Sequence, residues 1–213
     1  MKGGDALVDR VRQSIIASIN AKNTLLSTPD LLSEIAACSE TLIEAMRSGR
    51  KLVTFGNGGS AADAQHIAAE FVGRFAFDRP ALPALALSAN SSCVTAIGND
   101  YGYDLVFARQ VEALGCVGDV ALGISTSGKS ANVLRALDVA REHGLHTVAM
   151  TGANGAHLRC SVEHCLCVPI NETPRIQECH ILIGHIISEL VESAIFEGAV
   201  GTAAKANVKG KVG

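Results

Sequence analysis

Two short segments, more than a hundred residues apart, carry the side chains best suited to chemistry. His66 and Glu70 stand four apart in HIAAE, and Gln177 and His185 lie in RIQECHILIGH. A His and a Glu at i and i+4 share one helix face, so together they can grip a divalent metal or frame a proton transfer. The second segment adds an amide and another imidazole. Eight residues along a straight helix put Gln177 and His185 roughly 12 Å apart, near the limit that two extended side chains can bridge to one ion. They share it at full stretch, sit on a bent helix, or come from different subunits. His180 lies about 140° from His185 around the same axis, which suits a core position rather than the same site.

Between these segments lie two loops suited to holding an anion. Phe55-Gly56-Asn57-Gly58-Gly59-Ser60 follows an apolar run and precedes a helical pattern. Its glycines let the backbone approach a ligand, and Ser60 is positioned to cap the helix. It is neither the dinucleotide G-x-G-x-x-G, lacking the third glycine, nor a Walker A loop, lacking G-K-[ST]. Ser125-Thr126-Ser127-Gly128-Lys129-Ser130 occupies the equivalent place after a later strand. Four hydroxyls and a helix N-terminus suit a phosphate monoester better than a carboxylate, which favours Arg. Asn99 and Asp100, in the polar turn GNDYG, could contact the hydroxyls of a polyol. An acid/base or metal group beside a phosphate cradle points to an enzyme acting on a phosphorylated metabolite.

The elements that must position these residues are legible from periodicity. Residues 8–27 and 29–48 carry apolar side chains at helical spacing, with Pro29-Asp30 marking the second start. They precede any strand, so they pack outside the sheet or against another subunit. Strands are expected at 51–56, 83–88, 119–125, 146–152 and 164–170, alternating with helices. Continuous aliphatic runs alternating with helices indicate an α/β three-layer sandwich around a five-stranded parallel sheet. A long helix is expected from about 174 to 197. One domain is expected over 1–197, with 198–213 a loose tail lacking periodicity.

Composition narrows the field. The 213 residues suit a single domain with a real core, at 48% hydrophobic and 18% charged. A formal charge of −3 with no basic run does not signal a nucleic-acid partner. The opening MKGGDALVDR has no apolar leader pattern, and no apolar run approaches a membrane span, so no membrane partner and a cytoplasmic location are expected. The seven cysteines fall largely in apolar strands and helices, as reduced structural thiols do.

Taken together, GNGGSAADAQHIAAEFVGRF, AIGNDYGYD, GISTSGKSANV and RIQECHILIGHII resemble the sugar isomerase (SIS) family, and within it the phosphoheptose isomerases. The resemblance runs from about residue 8 to 197. It implies a flavodoxin-like SIS sheet preceded by N-terminal helices. It also implies isomerisation of sedoheptulose 7-phosphate to D-glycero-D-manno-heptose 7-phosphate, the first step toward ADP-heptose and surface glycan precursors. Glu70 and His185 are then the acid/base pair. His66, Glu70, Gln177 and His185 surround one Zn2+ per subunit. Asn57, Gly58, Gly59, Ser60, Glu70, Asn99, Asp100, Ser125, Thr126, Ser127, Ser130 and Gln177 hold the substrate. A homotetramer with inter-subunit sites is implied as well. The alternatives within the wider family are an isomerase of another sugar phosphate and a non-catalytic protein that binds a replication-initiator-type partner.

Overall fold

All strands but one at the sheet edge are buried on both faces, and alternate residues feed two cores. Along β3 (Val120–Ser125), Val120, Leu122 and Ile124 enter one core while Ala121 enters the other. The computed structural model describes residues 3–209, with side chains over 5–196. The other strands are β1 (Leu52–Gly56), β2 (Ala84–Ala86), β4 (His146–Gly152) and β5 (His164–Val168). All neighbours pair in parallel, in the order β2-β1-β3-β4-β5. That is the flavodoxin-like order, whose winding reverses between β1 and β3 and opens a crevice at their carboxyl ends. The expected α/β sandwich and its five parallel strands are therefore present.

Helices α1 (Gly3–Leu26), α2 (Pro29–Arg47), α3 (Gly59–Val72) and α7 (Thr173–Lys209) share the first core; α5 (Ala108–Leu114) and α6 (Ala131–Glu142) share the second. Proline at the start of α2 fits because the first helical N–H has no partner to lose. α2 lies over β5 and α7, whereas α1 is the outer helix. Ala21 and Leu25 of α1 are buried, yet Val8, Val11, Ile15 and Ile19 form an exposed apolar stripe. α3 and α7 run side by side in the same direction. Gln177 meets the backbone at Gly59, and Gly184 admits Ile67 so closely that an added Cβ would stand 2.7 Å from it.

Three expectations need correction. Asn99 and Asp100 are not in a turn but in the last turns of α4 (Ser91–Tyr101). The Asn90 side chain accepts from Cys93 N and starts that helix early, and Gly102, at φ 91°, ends it. Second, Thr173–Phe196 of α7 is long and apolar enough to cross a membrane by length and composition. Periodic polar residues had disguised this, and 44% of that window is buried within the fold. Third, Ser60 is not the cap of α3. That position belongs to Gly58, and Ser60 lies buried in the first turn. The backbone of α7 continues through Lys209, while the tail expected over 198–213 lies outside the residues whose side chains are described.

His180 has no exposed surface, and burial pushes its imidazole pKa from 6.5 down to about 4. The folded chain holds it neutral while the unfolded chain binds a proton below 6.5, so stability is lost as pH falls from 6.5 toward 4. The loss expected from this group is about 3 kcal/mol. Urea midpoints measured at pH 7 and pH 4.5 check this: the wild type should drop, and His180→Leu should flatten the slope. A wild type equally stable at both pH values contradicts it.

Candidate active site

The two loops lie at the carboxyl ends of β1 and β3, flanking the crevice. In the first, Gly58 has φ 54° and ψ −123°, a backbone that side-chain-bearing residues avoid. Ser60 N and Ala61 N turn back to Asn57 O (3.0 and 3.3 Å), which among the described residues leaves Gly59 N as the donor of the first turn open to a ligand; the cap supplies no side-chain acceptor. In the second, Gly128 has φ 66° and packs so tightly on Gly155 that a Cβ would clash with its Cα. Ser125 and Ser130 share a hydrogen bond between their hydroxyls (3.0 Å). Lys129 N donates to Ser127 Oγ (3.2 Å). Ser130 is the N-cap of α6 but makes no side-chain cap bond, so this helix end also keeps free donors toward an anion. Ser125 is buried, Thr126 and Ser130 are half-buried, and Ser127 and Lys129 are exposed.

A brace that sequence patterns did not reveal joins the loops. Asn57 Nδ2 donates to Asn132 Oδ1 (2.8 Å), and Asn132 Nδ2 returns a bond to Asn57 Oδ1 (2.9 Å). Tyr103 OH also donates to Asn57 Oδ1 (3.2 Å). Asn132 is buried in the first turn of α6. Its place two residues after Ser130 was the available signal. The Asn99 amide donates to Asp100 Oδ1 (2.8 Å) on the exposed surface of α4; from this stretch it is Tyr103 that reaches the loop.

Below the loops, α3 and α7 bring three of the expected residues together. His66 Nε2 lies 3.0 Å from Glu70 Oε1 and 3.1 Å from His185 Nε2. One ligand atom from each of the three lies within 4.8 Å of the others. His66 Nε2 carries one proton or one lone pair, so it cannot satisfy both neighbours by hydrogen bonding alone. A cation shared by the two imidazoles and the carboxylate satisfies all three, and nitrogen and oxygen donors of this kind suit a divalent transition metal. The donor set therefore fits a metal ion. Glu70 is the more enclosed of the pair, its side chain 22% exposed against 51% for His66. Asp63, one turn above His66, has its carboxyl pKa raised by burial, with His66 opposing the shift.

Gln177 stands elsewhere in the same chain. Its Nε2 lies 2.5 Å from where a Gly59 Cβ would be, beside the first loop. Seven residues of α3 separate Gly59 from His66, an axial rise of about 10 Å. α7 is one unbroken helix. Among the described residues no hydrogen bond links Gln177 to the triad. Within one chain, Gln177 therefore stands beside the first loop, apart from His66, Glu70 and His185. His180 is buried among core residues, apart from the site.

Sequence and fold comparisons identify the class. Residues 19–152 match the SIS domain family, and the chain belongs to it. It is 52% identical over 188 residues to the phosphoheptose isomerase of Aneurinibacillus thermoaerophilus, covering 88% of this chain and 95% of that one. Against the phosphoheptose isomerase of Sulfurimonas denitrificans it is 48% identical over 190 residues, covering 89% and 97%. The solved phosphoheptose isomerase of Neisseria gonorrhoeae superposes with a TM-score of 0.82 at 42% identity, covering 88% of this chain and 99% of that one. Within the SIS class, the chain belongs to the phosphoheptose isomerase family.

Proposed function

We propose that this chain is an aldose–ketose isomerase converting sedoheptulose 7-phosphate to D-glycero-D-manno-heptose 7-phosphate through an enediol. The observation that carries this reading is the convergence of His66, Glu70 and His185 between α3 and α7, under two anion-ready loops. The reaction moves a hydrogen from C1 to C2. Glu70 takes the C1 proton and returns it at C2, while His185 exchanges the proton between the two oxygens. The phosphate sits at the 125–130 loop, where Ser125, Thr126, Ser127 and Ser130 offer hydroxyls. Asn57, Gly58, Gly59, Ser60, Asn99, Asp100 and Gln177 contact the polyol chain. Anchoring the far end of the substrate orients C1 and C2 for proton transfer.

His66, Glu70 and His185 hold Zn2+, with Gln177 as a fourth ligand supplied across a subunit contact. A bound zinc ion polarises the carbonyl and stabilises enediolate charge. The assembly is a homotetramer with inter-subunit sites. The exposed apolar stripe of α1 supports an assembly, as does α4, which has no buried residue. The enzyme is cytoplasmic and supplies heptose for surface glycans. Incubation with sedoheptulose 7-phosphate, followed by NMR, tests the activity: aldoheptose 7-phosphate should appear, and its absence from folded, Zn2+-loaded protein would sink the reading. Ser127→Ala should raise KM about tenfold while kcat changes little; an unchanged KM in steady-state kinetics places the phosphate elsewhere.

A further inference from the structure

Beyond the triad itself, the turn that follows α3 is built around one enclosed ion pair. Arg79 Nε donates to Glu192 Oε1 at 2.8 Å, and the two side chains are 2% and 1% exposed. Glu192 also accepts from Phe75 N (2.9 Å) and Ala76 N (2.7 Å). The remaining guanidinium donors cap the end of α3: Nη2 donates to Glu70 O (2.8 Å), and Nη1 to Phe71 O (2.8 Å), Gly73 O (3.3 Å) and Pro80 O (3.0 Å). Terminal helix carbonyls lack intrahelical partners, and the planar fork of Arg meets several at once where an ammonium would meet fewer. The loop held this way seats the Phe75 ring 5.8 Å from the His185 ring. Burial alone would raise the Glu192 carboxyl pKa, but the Ala76 and Phe75 N–H groups and Arg79 outweigh it and hold it below the usual range. The pair is therefore ionised and fully partnered.

We propose that Arg79 and Glu192, with the Phe75 they seat, are positioning residues that set the separation of Glu70 from His185. The contacts are direct at both ends. Arg79 grips the main chain of Glu70, Glu192 lies on α7 two turns beyond His185, and Phe75 packs on the imidazole. Neither charged residue reaches the substrate loops, which lie at the opposite end of α3. A buried pair serving only stability would have no reason to gather the carbonyl of Glu70 and the ring beside His185 into one bonded unit. This inference rests on the metal and acid/base roles proposed above.

Glu192→Gln and Arg79→Lys test it. In both, Zn2+ affinity measured by competition with a chelating dye should fall 10- to 100-fold, the range for outer partners of metal ligands. Turnover of sedoheptulose 7-phosphate should fall tenfold or more with KM within twofold, and the pH profile of kcat should shift. A merely structural pair would lower the melting temperature and leave these three unchanged below it. Wild-type affinity, kcat and pH profile in variants with native circular dichroism overturn the proposal. Should both variants fail to fold, Phe75→Leu keeps the ion pair and removes only the ring; unchanged Zn2+ affinity and kcat there overturn it equally. The His185 imidazole resonances in metal-free protein should also be displaced in the variants, whatever substrate is used. An inactive wild type thus counts against the functional reading, and undisplaced resonances against the positioning one.

Discussion

Glu70→Gln is expected to fold and assemble as the wild type does, yet to lose 10²- to 10⁴-fold in kcat, the usual worth of a positioned general base. The substitution is isosteric, and the only side-chain partner of the Glu70 carboxylate among the described residues is His66 at 3.0 Å. That pair is half open to solvent on the imidazole side, so its loss should cost no more than about 1 kcal/mol of stability. The main chain of Glu70 stays held by Arg79 in the variant. What disappears is an oxygen able to take a proton and one carboxylate donor to Zn2+, so the variant is assayed at saturating Zn2+. Circular dichroism and gel filtration verify the fold, and a kinetic assay on sedoheptulose 7-phosphate reads the effect. Turnover within tenfold of wild type would remove Glu70 as the base.

Removal of the metal is expected to cost at least 10²-fold in activity, with recovery on adding Zn2+. The geometry gives the reason. Without a cation, His66 Nε2 faces both Glu70 and His185 with a single proton to offer, so at least one contact is unsatisfied. The same argument predicts a stability readout: Zn2+ at 100 times its Kd should stabilise the fold by about 2.7 kcal/mol, seen as a higher melting temperature that His66→Ala abolishes. Activity that survives verified removal would keep the isomerase and discard the metal from its chemistry.

How legible each feature was depended on whether its cause is local. Strands β1 to β5 could be read from largely aliphatic runs because burial leaves few polar positions along them, Thr54 and Thr151 among the exceptions. The motif residues His66 and Glu70 could be paired because a helix turn alone brings i and i+4 together. Asn99 and Asp100 were misplaced because Gly98 and Gly102 look like turn residues, while the cap that extends α4 through them comes from Asn90, nine residues earlier. Ser60 was misread because serine commonly caps helices, but the backbone reversal after β1 needs the positive φ of Gly58 and moves the cap two positions back. The Asn57–Asn132 brace had only the place of Asn132 after Ser130 to signal it, and the Arg79–Glu192 clamp had no local signal. Each partner is an ordinary polar residue until the fold brings it within bonding distance across 75 or 113 residues.

By itself, the sequence determined the sheet, the helices around it and the residue types able to bind phosphate or move protons. Those depend on periodicity and on backbone freedom, which neighbouring residues set. Only the tertiary structure decided which of those residues meet. It put His185 beside His66 because Gly184 lets α7 settle against Ile67 of α3, and it held Gln177 a tier above, its amide turned to Gly59, about 12 Å along the helix from His185. Packing sets the register between two helices, and no pattern along either helix alone contains it.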